Sequence, residues 1–427
     1  MKNICKVGLL LGALAMLMPA ALADEVTDWN AIMFKAALNA TPAPTSPLVM
    51  GRNAAIVEVA VYDAVNGIQR RFAPLHVQPA AAAGASVRAA AVQAAYATLV
   101  RLYPSQQGTF DQARTASLAA IASDAAVANS VSIARGIAWG QFVADAIWSW
   151  RSTDGFTPPP LPFIGGTNVG EWRPTPPGFL SGAGPQFAYM TPWVILSPSQ
   201  FQPLGPPALD SARYTADFNE TKSMGSISSS LRSADQTTAS RFWAGSTASY
   251  YWDNIAISLG AERHNTLSEN ARLLALLNVS MADAAIACWQ AKYHYVFWRP
   301  VTAIPLADTD GNSDTDVDPG WAPLLTTPNH PEYPSGHSTV SGAAATVLAD
   351  YFGQATSFSV GSDVMIGTVR SFSSFDGALS EIKDARIFAG IHFRSACDDG
   401  QNIGIAVAQY VMGNAFHPVN GNKKGQI

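Results

Sequence analysis

The sequence predicts an all-α protein, a helical bundle with one long proline-rich ordered loop. Three observations predict it. Apolar residues recur at three- and four-residue spacing along most of the chain, with few β-branched alternations. Ala is abundant and charged residues make up only 13% of the chain, which suits packed helices. The prolines are concentrated: residues 158–207 hold 13 of the 28, so helix is interrupted there and little elsewhere.

In chain order, Lys2 and Lys6 flank the start of the apolar run 7-VGLLLGALAMLM-18, which ends at Ala21-Leu22-Ala23. This pattern predicts a signal peptide over 1–23 cleaved after Ala23, hence a secreted or periplasmic protein. No later stretch reads as apolar and long enough to span a bilayer, so no membrane span is expected after cleavage. About 400 residues remain, enough for a substantial core. Residues 24–157 form an N-terminal helical region, with helices near 26–39, 52–68, 86–103, 109–123 and 127–150. Residues 158–210 read as a wrapping loop that keeps Trp172, Phe179, Phe187, Tyr189 and Trp193 for packing. Residues 211–427 form a C-terminal bundle with helices near 235–262, 267–298, 336–353, 361–371, 378–395 and 400–415. The formal charge of −5 and the lack of any basic block exclude a nucleic-acid surface. A homo-oligomer stays open.

Three segments carry chemistry. In 291-AKYHYVFWRP-300, Lys292 and Arg299 lie seven apart, two helical turns, which places two cations about 10 Å apart on one apolar face before Pro300 stops the helix. Such cations are costly to bury without an anion between them. In 329-NHPEYPSGHSTVSG-342, Pro334 breaks the chain and the small residues after it suit the first turn of a helix, whose free N–H groups attract anions. Ser335 and Gly336 would be donors there and His337 would stand beside them; Ser335 also reads as a plain helix cap. In 384-DARIFAGIHFRSACDDG-400, Arg386 and His392 share an apolar helical run. Together the segments supply three fixed cations, a helix N-terminus and two histidines, an inventory for a tetrahedral oxyanion such as phosphate or vanadate. One histidine can coordinate or attack the central atom while the other moves a proton.

The ordered set K-x6-RP (292–300), PSGH (334–337) and R-x5-H (386–392) resembles the signature of the vanadium-dependent haloperoxidase and type 2 phosphatidic acid phosphatase superfamily. "YDAVNGI" (62–68), "ADQTTASRFWA" (234–244) and "HPEYPSGHS" (330–338) are similar to its longer bacterial haloperoxidase branch, so the resemblance covers most of the chain after residue 23. It implies a helical bundle around a buried anion held by Lys292, Arg299, Ser335, Gly336 and Arg386. It also implies His337 as the acid–base group, and His392 as the axial ligand of vanadium or the phosphohistidine nucleophile. His330 matches the place of a second active-site histidine in algal bromoperoxidases, and reads equally as a loop histidine bonded to its own turn.

The expected cofactor is vanadate, with hydrogen peroxide, halide (bromide before chloride) and an organic acceptor as small-molecule substrates. The alternative is a phosphatase of this superfamily with phosphate in the same place. A further alternative is a non-catalytic oxyanion-binding protein, against which the two histidines stand.

The chain departs from the family pattern in its third motif. Ala385 precedes Arg386 where the family has Ser, and Ala396 stands where an Asp usually orients the histidine; Asp398 or Asp399 are candidate replacements. The loop 308-DTDGNSDTDVD-318 resembles a calcium loop, but Pro319 replaces the closing Glu, and a solvated acidic turn is the preferred reading. His76, His264, His294 and His417 read as structural. Cys288 and Cys397 flank the first and third motifs, and an exported chain permits a disulfide between them. Convergence on an anion does not enforce the required Cα spacing of roughly 4.4–6.8 Å, so two free buried thiols are preferred.

Overall fold

The computed structural model describes residues 24–126 and 128–419; the expected signal peptide, 1–23, lies outside them. Local sequence sets the helix ends. Helix α1 (Glu25–Leu38) starts in a capping box made by Asp24 and Thr27. Helix α2 (Pro47–Gln69) opens with Pro at its first position and closes on Arg70 in the left-handed region. Helices α3 (Val87–Leu102), α4 (Gln107–Ser123) and α5 (Ser130–Arg151) complete the N-terminal half. Gly136 and Gly140 bring α5 onto the backbone of α3, for a methyl at either would fall on the carbonyls of Ser86 or Ala90. The proline-rich segment then wraps with only a short 3-10 turn, Pro185–Tyr189, and is fixed where the buried Asp283 carboxylate accepts the amides of Trp193, Val194 and Ile195.

Helices α6 (Ala212–Gly225), α7 (Ala234–Gly245) and α8 (Ala248–Glu262) lead to α9 (Leu267–Tyr295), the central element. Helix α9 packs on α2 from one half and on two later helices, α11 and α13, from the other. By length and composition it could cross a membrane, which corrects the sequence reading that no such stretch exists; 94% of its apolar window is buried inside the protein. After the single-turn α10 (Pro300–Ala303) come α11 (Gly336–Phe352), a two-stranded antiparallel hairpin of β1 (Phe358–Gly361) and β2 (Val369–Phe372), α12 (Phe375–Phe388) and α13 (Arg394–Asn414).

The all-α expectation holds, with local corrections. The expected helix at 361–371 is the hairpin, whose β-branched and aromatic residues Phe358, Val360, Val369 and Phe372 suit strands. The expected helix 235–262 is two helices, with Ser246 extended between them. Helix α6, polar on average, was not expected. The run 378–395 breaks at Gly390, which has positive φ and lies against Gly225 and Pro323, where any side chain would collide.

Candidate active site

Lys292 sits in the last turn of α9, which ends at Val296 in the left-handed region. Pro300 therefore begins α10 rather than ending the long helix, and Arg299 is its extended N-cap. Lys292 and Arg299 thus share a site but not a helix face. The turn at Val296 sends Phe297–Arg299 across the wrap, held by Trp172 N–H on the Val296 carbonyl and Trp298 N–H on Gly170.

Ser335 caps α11, accepting from the Ser338 amide and hydroxyl, as its plain reading required; its own hydroxyl proton stays available to donate. Gly336 and His337 occupy the first turn of α11, where backbone N–H groups lack helical partners. Arg386 lies in the last turn of α12, and His392 follows in the short link before α13. These placements depend on α11 and α13 touching backbone to backbone. A Cβ at Gly400 would come within 2.8 Å of the Ser335 carbonyl, and one at Gly404 would fall on the Thr339 carbonyl.

The groups meet at one cavity of 390 Å³, whose walls include His330, Gly336, His337, Arg386 and His392. Lys292, Arg299 and Ser335 stand just behind that wall. Arg299 donates from Nη1 to the Ile391 carbonyl at 2.6 Å and from Nε to the His330 carbonyl at 2.9 Å. It also faces His392 Nε2 at 3.1 Å and His330 Nδ1 at 2.9 Å. Lys292 donates to the carbonyls of Pro331 and Glu332 at 2.9 and 3.0 Å. Arg386 is buried, and among the described residues its Nε and Nη1 find no partner.

Glu332 answers the question left by Ala396. Its Oε1 lies 2.9 Å from His392 Nδ1 and accepts the Phe393 amide at 2.9 Å. Neither Asp398 nor Asp399 does this work: Asp398 pairs with Lys383, and Asp399 accepts from Tyr333 and Arg213. Glu332 went unnoticed in the sequence, yet the signal was there. It is the sole carboxylate between Asp318 and Asp350, set inside the histidine motif.

This network fixes tautomers. An arginine only donates, so His392 Nε2 and His330 Nδ1 each present a lone pair to Arg299. His392 then carries its proton on Nδ1, toward Glu332, and His330 on Nε2. Burial first, and then the neighbouring cations, hold all three histidines well below the ordinary imidazole value, so each is neutral. Burial also lowers Lys292 to about 7 and Arg299 and Arg386 to about 10, while it raises Glu332 to about 7. Three buried cations thus face one carboxylate, and the cavity is short of negative charge.

Cys288 and Cys397 are separate buried thiols, raised by burial, Cys397 to about 12. In the acidic loop, Asp310 accepts from the Asn312 amide and the Thr315 hydroxyl, and the Asn312 side chain donates to Leu209 and Thr215. No group of three or more His, Cys, Asp or Glu side chains suited to a metal ion occurs among the described residues.

Residues 272–421 match the family described as the VCPO second helical-bundle domain. The fold is similar to a bacterial vanadium-dependent iodoperoxidase, with TM-score 0.80 and 28% identity over 93% of this chain and 98% of that one. The chain is therefore similar to the vanadium-dependent haloperoxidases, in sequence over residues 272–421 and in fold over most of its length. A vanadium chloroperoxidase of Curvularia inaequalis is 32% identical over 180 residues, 34% of this chain but only 29% of the length of that relative. A bacterial vanadium-dependent chloroperoxidase in its apo form shares the fold at TM-score 0.71 and 16% identity, over 90% of this chain and 97% of that one.

The haloperoxidase cofactor fits these residues. An oxyanion needs hydrogen-bond donors, which the Arg386 nitrogens unpartnered among the described residues and the first turn of α11 supply, while the unprotonated His392 Nε2 is the nitrogen that could ligate the metal.

Proposed function

We propose that this chain is a vanadate-dependent haloperoxidase that oxidises halide with hydrogen peroxide, bromide before chloride. The observation that carries the reading is the buried guanidinium of Arg386, whose Nε and Nη1 have no partner among the described residues, in a site where Lys292 and Arg299 add two further buried cations beside Glu332. A charged donor buried without a partner costs more than ~1–3 kcal/mol, and a bound oxyanion removes that cost. Lys292, Arg299, Arg386, Ser335 and Gly336 would hold vanadate, and His392 Nε2 would be the protein nitrogen that ligates it. Bound vanadate supplies a Lewis acid that activates peroxide toward halide. The protein's part is electrostatic and protonic. Arg299, by donating, keeps His392 Nε2 unprotonated, Glu332 holds the opposite ring nitrogen, and neutral His337 takes a proton from incoming peroxide and returns one to leaving water. His330, locked to Arg299, is a donor from Nε2.

Glu332 favours a second reading too, because an imidazole oriented by a carboxylate is equipped to attack phosphorus. Phosphomonoester hydrolysis is therefore the alternative in the same pocket. We place the protein outside the cytoplasm on the strength of residues 1–23, which N-terminal sequencing of the native protein tests through a start at Asp24.

The test is the purified protein with and without orthovanadate, assayed for peroxide-dependent oxidation of iodide, bromide and chloride and for p-nitrophenyl phosphate hydrolysis. Vanadate-dependent halide oxidation is expected. His392→Ala should abolish vanadate binding, while His337→Ala should bind it and turn over ~100- to ~10,000-fold more slowly. Phosphatase activity alone would replace the first reading by the second, and equal vanadate binding by both variants would overturn the assignment of roles.

A further inference from the structure

The cavity is far larger than the inorganic reactants need. Oxyanion, peroxide and halide together take the space of about six waters at ~30 Å³ each, less than half of 390 Å³. The remainder has a consistent character. Met281, Ala285 and Trp289 line it from successive turns of α9, at the four-residue spacing that forms one stripe, and Lys292 continues the stripe to the cationic end. From Met281 to Trp289 the stripe runs about 12 Å. Opposite stand Leu48 at the start of α2, Phe187 from the wrap and Val340 on α11. Among the described residues no Asp, Glu or Lys side chain lines the cavity, and Arg386 is the one charged wall residue. The Trp289 indole is tied by Nε1 to the Ala183 carbonyl, and its ring lies 5.0 Å from that of His330.

We propose that this apolar limb binds the organic acceptor itself, a neutral phenolic aromatic of one or two rings, so that halogenation takes place on a bound ring rather than in solution. The limb supplies apolar and aromatic contact, and the Arg386–His330 end supplies donors for a phenolic oxygen. The absence of carboxylates gives amines no partner. The inference rests on the haloperoxidase reading for its chemistry. Overall, Ar–H + X⁻ + H₂O₂ + H⁺ gives Ar–X + 2 H₂O. The halide loses two electrons, peroxide is reduced to water, a ring C–H bond breaks and a C–X bond forms.

The test uses 2-naphthol as probe and the whole protein loaded with phosphate. Isothermal titration should show one saturable site with a dissociation constant in the micromolar range. Ala285→Phe fills the limb from α9 and Leu48→Trp fills it from α2, and neither touches the cation or histidine set. Each should weaken 2-naphthol binding at least tenfold and leave vanadate-dependent triiodide formation within twofold. Phenol brominated by the enzyme should give an ortho-to-para ratio different from that of free hypobromous acid, and the ratio should revert in both variants. Intact triiodide formation without saturable 2-naphthol binding, or a product ratio equal to the free reagent's, would overturn the acceptor site and leave the haloperoxidase reading standing. Naphthol binding lost in both folded variants, in a protein that oxidises no halide, would confirm the site and discard the chemistry.

Discussion

Replacing Glu332 separates two electrostatic roles by their sign. Its Oε1 faces His392 Nδ1 and the Phe393 amide, both at 2.9 Å. Among the described residues it is the carboxylate beside Arg299 and Lys292, and if its charge were all that mattered, removing it would leave a more positive pocket and tighten oxyanion binding. If it acts by positioning His392, Glu332→Ala frees the ring, leaves two buried N–H groups unpaired and weakens vanadate binding. Hydrogen bonds to a charged group contribute ~1.5–3 kcal/mol, so the expected loss is about 10- to 100-fold. Glu332→Gln keeps one oxygen for both donors and should recover most of the affinity, to within about fivefold of the parent. The measurement is equilibrium dialysis against orthovanadate at pH 8, where a carboxylate raised to about 7 is mostly ionised. Vanadate bound by Glu332→Ala as tightly as by the parent, or more tightly, would refute the positioning role.

Arg386→Met removes the buried cation whose Nε and Nη1 are unpartnered; the ligand-free protein should melt about 2 °C or more higher while losing its stabilisation by vanadate. A lower melting temperature with vanadate protection intact would contradict this. Lys292 is lowered to about 7, so its charge, and with it sulfate affinity, should decline as pH rises above neutrality. Lys292→Arg should flatten that decline in a calorimetric series from pH 6 to 9, with any remaining slope due to Glu332, and an unchanged profile would exclude Lys292 as the titrating group. Away from the site, Asn30 Nδ2 bridges the buried Glu58 and Asp253 carboxyls at 2.9 and 2.7 Å. Burial raises them to about 8 and 7. The folded chain then binds more protons than the unfolded one between roughly pH 4.5 and 8, and stability falls as pH climbs through that window. Glu58→Gln should shrink the difference in melting temperature between pH 5.5 and 8.5, and a difference as large as the parent's would refute the assignment.

Much of this site was legible in the sequence because its chemistry is carried by residue types that are rare in apolar helices. Lys292, Arg299, Arg386, His337 and His392 stand out by cost alone. What carried less signal was backbone direction. Nothing about Val296 announces a left-handed residue, so Arg299 was placed on the wrong element though in the right site. Glu332 was hidden by its neighbours: a carboxylate between two prolines reads as a surface turn until the fold buries it against His392. The hairpin at 358–372 was missed because a short apolar run does not declare its period. Helix α9 escaped as a candidate span although its length and composition suffice, and the fold buries 94% of its apolar window inside the protein.

The contact between α11 and α13 bears on anyone who would transplant this chemistry. Moving the three cations and the histidines onto another helical scaffold would carry over the reagents without the distance between them. That distance is set by Gly400 and Gly404, which take no part in any reaction and let Thr339 and Ser335 approach a neighbouring backbone more closely than any side chain permits. The smallest portable unit is therefore the whole stretch from His330 to Gly404 together with Lys292–Arg299, and within it the two glycines are the positions where a library should admit no diversity.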